Sequence, residues 1–187
     1  MRITIPLTFV VLAAVAAGAS ATPPATETEA TVAAAEMTTD RVEGFSHTFA
    51  TQRELYDAVA AAVSSGDADV MRRMAVTEEE FRDLVWPTLD VAKLPNSNFT
   101  WEFVWSQHQL KHEKCLLRTS HDLGGIDFDI VDVSFLGATS DHGSFKIHRD
   151  SEAKIVRPDG TRESLQLFGS VLETDDGHYK IYSFIND

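Results

Sequence analysis

Two histidines and the only cysteine of the chain are spaced so that one helix would present all three on the same side. They are His108, His112 and Cys115. Spacings of four and three residues bring side chains to one helical face, and zinc and copper accept both imidazole and thiolate ligands. One helix supplies only part of a coordination shell, so a fourth ligand would come from elsewhere, such as His121 or His142. This spacing raises a metal-binding hypothesis.

The same side of that helix has a second explanation that needs no metal. It also carries Trp101 and Trp105, and aromatic residues at helical spacing are typical of a core in which histidines pack with hydrogen-bonded rings. We prefer this explanation and expect neither a metal nor another cofactor. With Trp86 and Tyr182, the two tryptophans could instead line a pocket for an apolar or ring-shaped ligand.

A different set of residues could perform acid–base chemistry. Asp127 and Asp129 alternate along a predicted strand and so share a face, where neighbouring carboxylates raise one pKa toward neutrality; Asp132 is a third possible base. The possible proton donors are His148, Tyr56 and Tyr182. Three apolar residues occupy the opposite face of the strand: Ile126, Phe128 and Ile130. The aspartates therefore also fit the solvent-exposed side of an edge strand, and we prefer that interpretation.

The N-terminus predicts export. A short basic start at Arg2 precedes an apolar run over residues 7–17, and Ala19-Ser20-Ala21 matches a small-residue cleavage site. We interpret residues 1–21 as a signal peptide cleaved after Ala21, which makes the protein secreted or periplasmic. The apolar run is too short for a membrane span, and we expect none.

Composition divides the remaining chain into two parts. Residues 22–44 consist mainly of Thr, Ala, Glu and Pro, and we expect a disordered spacer because they offer too little apolar surface to fold. Residues 45–187 are long enough for one domain with a single core. The formal net charge is −13 with no cluster of Lys and Arg, so nucleic acid is not an expected partner.

Capping patterns predict helices in the first half of this domain. Residues 51–54 and 77–80 match the capping box, and Asp67 can cap a short helix between them. Asn98 can begin a long helix that ends near Ser120, before two glycines. This long helix has a second apolar stripe opposite the histidines, formed by Phe99, Phe103, Leu110 and Leu117. We expect both stripes to be buried, one on a sheet and the other on helices, a ligand or a second subunit.

The second half of the domain predicts strands. From Ile126 onward, β-branched and aromatic residues alternate with polar ones, and tight turns are expected at residues 158–160 and 176–177. Gly169 lies inside a predicted strand over residues 162–173, where it would permit a bend. The predicted fold class is therefore α+β, with N-terminal helices packed on a strongly curved, cone-like antiparallel sheet.

The C-terminal strand carries a resemblance to a known family. Asp176-Gly177-His178-Tyr179-Lys180-Ile181-Tyr182, together with the segment from Leu167 to Glu173, resembles exported bacterial members of the nuclear transport factor 2-like (cystatin-like cone) superfamily. The resemblance covers residues 45–187. It implies a cavity between the curved sheet and the helices.

Members of that superfamily use the cavity in different ways, so the fold alone does not choose a function. We predict a non-enzymatic domain that binds a small apolar molecule or a protein. The alternatives are a small cavity enzyme of the isomerase or dehydratase type, as the ketosteroid isomerases are, and a metal-binding protein. A curved sheet of this kind often pairs face to face, so a homodimer through the open face of the sheet is a further hypothesis.

Overall fold

The computed structural model describes residues 44–95 and 98–186. They form helices followed by two antiparallel sheets, which confirms the predicted α+β class. The predicted signal peptide and residues 22–43 of the predicted spacer lie outside the described residues. Within the described ranges, a search for an apolar helix of membrane-spanning length finds none.

Within residues 44–95 and 98–186, five α-helices precede the strands: α1 (Gln52–Ser65), α2 (Ala68–Arg73), α3 (Glu78–Glu80), α4 (Asp90–Lys93) and α5 (Trp101–Leu123). A π-helical turn (Phe81–Val85) and a 3₁₀ turn (Trp86–Thr88) continue α3. The caps predicted at Thr51, Asp67 and Thr77 are all present. Each is set by a hydroxyl or carboxylate that accepts from a nearby backbone N–H, which is a local property of the sequence.

The start of α5 differs from the prediction. The helix is capped by Thr100, whose hydroxyl accepts from the Phe103 backbone N–H at 3.3 Å, and not by Asn98. Thr is also a favoured N-cap residue, and the prediction at Asn98 placed the start two residues too early. The last helical residue is Leu123, three residues beyond Ser120, and Gly124 caps the helix as predicted.

The two apolar stripes of α5 differ in their exposure to solvent. The stripe with Trp105, His112 and Leu116 is buried, and Leu116 is 0% exposed. The stripe with Phe103 and Leu110 faces outward, and Leu110 is 70% exposed. The outer stripe therefore does not pack on other helices among the described residues, and its burial by a ligand or a second subunit stays a prediction. The cores among the described residues all lie on the Leu116 and Trp105 side of α5.

The strands form two sheets. The first has the order β1 (Asp129–Phe135), β4 (Ser151–Val156), β5 (Arg162–Leu165), and the second has the order β2 (Ser140–Asp141), β3 (Phe145–Arg149), β6 (Ser170–Thr174), β7 (Tyr179–Ser183). The chain crosses between the sheets at Asp150, where φ is +55°. The strand predicted over residues 162–173 is also interrupted. Strand β5 ends at Leu165 and β6 begins at Ser170, so Gly169 lies between the two sheets. A Cβ atom at Gly169 would lie 1.6 Å from the Ile185 carbonyl oxygen, so only glycine fits there.

Two clusters of side chains make up the core. The first lies between α1, α2, Leu116 and the strands of the first sheet, and it extends to Val171 and Ile181. The second lies on the face of β3 that carries Phe145 and Ile147; its other members include Phe45, Phe81, Trp105, Leu172 and Tyr182. Strand alternation explains why neighbouring strand residues enter different clusters.

A buried ion pair connects three separate parts of the chain. Lys180 of β7 is 0% exposed, and its Nζ lies 3.4 Å from the Glu80 carboxylate. Glu80 also accepts from the Thr77 backbone N–H at 2.8 Å and from the Ser46 backbone N–H at 2.6 Å. The Lys180 ammonium donates to the Ser46 carbonyl oxygen. Such a buried pair is tolerated because every charged group has hydrogen-bond partners.

Two leucines of α5 test which stripe carries the stability. We expect Leu116→Ala to lower the free energy of unfolding by about 2–5 kcal/mol because it leaves a cavity in the core. Leu110→Ala should change it by less than about 0.5 kcal/mol. Urea unfolding of both variants measures the difference, and equal losses would mean that both stripes are covered.

The buried lysine gives a second test. Lys180→Met removes one charge of the pair and leaves Glu80 buried with its charge, which should cost about 3–5 kcal/mol. The matched control is Lys154→Met, which breaks the exposed pair with Asp132 and should cost less than about 1 kcal/mol. Urea unfolding at pH 7 compares the two. A Lys180→Met protein as stable as the control would contradict the role of the pair.

Candidate functional site

The four aromatic residues predicted to line a ligand pocket lie together. Trp105 and Tyr182 are buried members of the second core cluster, and Trp86 and Trp101 pack against it partly exposed. Phe81 links them, with ring centroids 5.1 Å from Trp105 and 6.5 Å from Trp86. We call Phe81, Trp86, Trp101, Trp105, His108 and Tyr182 the ring cluster.

Three structural elements position the ring cluster. On α5, Trp101, Trp105 and His108 follow spacings of four and three and so point to one side. Pro87 cannot donate a backbone hydrogen bond, so the helical segment ends as a 3₁₀ turn that carries Trp86. Tyr182 comes from β7. The cluster therefore depends on the tertiary contact between α5, the turns after α3 and the last strand.

His108 lies at the centre of these rings. Its ring centroid is 5.3 Å from Tyr182 and 5.6 Å from Trp105. Burial, together with repulsion from His112, lowers the pKa of His108 to about 4. The imidazole is therefore neutral at pH 7, and it contributes a flat polar ring without a charge.

His112 lies one turn further along α5 and is also neutral. Its Nδ1 accepts a hydrogen bond from the Phe184 backbone N–H at 3.3 Å, so Nε2 carries the proton. Burial lowers the pKa of His112 to about 4. The hydrogen bond ties α5 to the residues that follow β7.

The residues of the metal-binding hypothesis have other partners. His112 uses Nδ1 for Phe184, and the Cys115 sulfur lies 3.9 Å from the Asn186 carbonyl oxygen. Of the suggested fourth ligands, His142 bonds through Nδ1 to Thr88 and through Nε2 to Ser140, both at 3.0 Å. Across residues 44–95 and 98–186, no group of three His, Cys, Asp or Glu side chains is arranged to hold a metal ion.

The acid–base candidates are divided among separate sites: Asp127 and Asp129 line one cleft, and Tyr56 and Asp132 line another of about 500 Å³. Asp127 and Asp129 are exposed and line an open cleft of about 620 Å³ beside α1. Asp132 pairs with Lys154 at 2.7 Å. Tyr56 is buried in the first core, where its hydroxyl has no hydrogen-bond partner among the described residues and burial raises its pKa to about 12. Tyr182 belongs to the ring cluster in the other core.

His148 stands in a polar network of its own. Its Nε2 lies 2.6 Å from a Glu173 carboxylate oxygen and its Nδ1 lies 3.0 Å from the Thr139 hydroxyl. The Tyr179 hydroxyl donates to the other Glu173 oxygen at 3.3 Å. Because His148 alternates with Ile147, it lies on the face of β3 opposite the ring cluster. The two groups therefore cannot act on one ligand.

Sequence reasoning missed several residues of these sites. Glu173 could be found only from the register that places β3 against β6. Phe81 was assigned to a helix face without a link to the tryptophans. Arg149 had a usable signal, because the alternation Phe145, Ile147, Arg149 places it on the face of the ring cluster.

Comparisons with known proteins add no assignment. No protein-family model, curated protein or solved structure matches this chain. The site must therefore be interpreted from its own chemistry.

The two neutral histidines predict how stability depends on pH. Their pKa values are about 4 when folded and 6.5 in an unperturbed histidine, so the unfolded chain binds protons first as the pH falls. Their contribution is complete above pH 6.5 and decreases toward pH 4, by about 2 kcal/mol for each imidazole between pH 7 and pH 5.

The variant His112→Asn tests this dependence, since its side-chain oxygen can still accept from the Phe184 N–H. We expect urea unfolding of His112→Asn to lose less stability between pH 7 and pH 5 than the unmodified protein. His121→Asn is the control, because His121 is 88% exposed and should leave the dependence unchanged. The same pH dependence in all three proteins would contradict the prediction.

Proposed function

We propose that the chain is an exported, non-enzymatic binding domain of the nuclear transport factor 2-like type, and that the ring cluster binds a small apolar or aromatic molecule. The observation that carries the proposal is a group of six ring side chains from three elements, of which Trp86 and Trp101 stay partly exposed. Aromatic faces with a few polar atoms are typical of small-molecule sites.

The titration of the ring cluster favours binding over proton transfer. Burial lowers the pKa of His108 to about 4 and raises the pKa of Tyr182. A general acid or base works best when its pKa lies near the working pH. At pH 7 the His108 imidazole and the Tyr182 phenol are both neutral, and neither gains nor loses a proton. Neutral groups suit the recognition of an uncharged ring system.

The arrangement of the strands supports the cone-like part of the proposal. Strands β3 and β4 belong to different sheets and are connected by Asp150. Strands β5 and β6 also belong to different sheets and are connected by residues 166–169. Two neighbouring strand pairs that bend at the same level produce a strongly curved surface. The leader over residues 1–21 supports export. Pairing of two copies through a sheet face stays a prediction.

Native mass spectrometry of the exported protein from its host tests the proposed function. We expect an organic adduct on the unmodified protein, retained in Leu110→Ala and reduced at least fivefold in Trp86→Ala. Trp86 is partly exposed, so its loss should remove a ring contact without unfolding the protein. A bare mass, or an adduct that survives Trp86→Ala, would contradict the proposal.

A further inference from the structure

A cationic side chain stands beside the ring cluster without a carboxylate partner. Arg149 ends β3, and the chain around it is strongly acidic, with a net charge of −13. Even so, among the described residues no Asp or Glu lies within ion-pair distance of its guanidinium. The carboxylate of the neighbouring Asp150 lies against Gly137. Arg149 is exposed, so its guanidinium is free to pair with an anionic group that reaches this edge of the ring cluster.

Strand geometry directs Arg149 toward the rings. It alternates with Phe145 and Ile147, both buried in the second core, and so leaves β3 on the same face. On the other side of β6, β7 carries Tyr182 on that face. Two strand spacings amount to about 10 Å, a distance that an arginine side chain and a tyrosine can bridge together.

Electrostatics agree with that placement. Burial is the main influence on the pKa of Tyr182, which it raises, and on those of His108 and His142, which it lowers; the positive charge of Arg149 adds a smaller lowering to each. These three groups come from β7, α5 and the loop before β3, so the exposed Arg149 lies at the side of the ring cluster where these elements meet. Tyr182 has no hydrogen bond from its hydroxyl to a described residue, which leaves that group able to donate to a ligand.

We infer that the ligand of the ring cluster is an aromatic or apolar molecule that carries an anionic group, and that Arg149 binds this group. The inference rests on the proposed function and adds the chemical class of the ligand. A guanidinium pairs with carboxylate or sulfonate oxygens through two parallel N–H bonds. The Tyr182 phenol supplies a further donor, while the tryptophan rings contact the apolar body.

Two dyes with the same ring system test the inference: 8-anilino-1-naphthalenesulfonate, which is anionic, and N-phenyl-1-naphthylamine, which lacks the sulfonate. Fluorescence titration measures the Kd of each. All proteins carry Leu110→Lys, so that neither dye binds the exposed stripe of α5. Arg149→Gln is compared with Arg149→Lys and with Arg162→Gln, which removes an exposed arginine of the first sheet.

We expect Arg149→Gln to weaken binding of the sulfonate at least tenfold and to change binding of the uncharged dye less than twofold. Arg149→Lys should lose less, and Arg162→Gln should match the parent protein. If both dyes bind but Arg149→Gln weakens neither, or weakens both equally, the inference is wrong while the proposed function stands. If neither dye binds the parent protein, both are wrong.

Discussion

The buried pair of Lys180 and Glu80 is the interaction on which the arrangement of the site depends. It joins the last strand to the short helix before Phe81, and through Ser46 it holds the start of the domain. A charge removed from water is stable only in one geometry, in which each donor and acceptor is satisfied. Phe81 comes directly after Glu80, and Tyr182 lies two residues after Lys180. The ion pair therefore also sets the distance between Phe81 and Tyr182 in the ring cluster.

The ring cluster combines burial with neutrality. His108, and His112 one turn further along α5, would be charged in acidic water, but burial keeps both neutral. The rings therefore provide contact area without a charge of their own. The polar network of His148 and Glu173 lies on the other face of the sheet, where it connects strands without reaching the cluster.

The outer stripe of α5 shows that hydrophobic periodicity predicts an apolar side of a helix but not whether that side is buried. Phe103, Leu110 and Leu117 repeat every seven residues as a buried stripe does, yet each is about half exposed or more. A helix has two sides, and periodicity reports only that each side is apolar. Which side is buried depends on where α1, α2 and the sheets pack, and those contacts come from distant parts of the chain.

The sequence alone determined the features that depend on neighbouring residues: the caps at Thr51, Asp67 and Thr77, and the end of α5 at Gly124. Each results from backbone hydrogen bonds or steric limits within a few residues. Only the tertiary structure decided which stripe of α5 is buried, that His108 and His112 stay neutral, and that α5 and β7 meet at His108 and Tyr182. Burial and strand register bring together groups far apart in the chain, and local patterns carry no information about those distances.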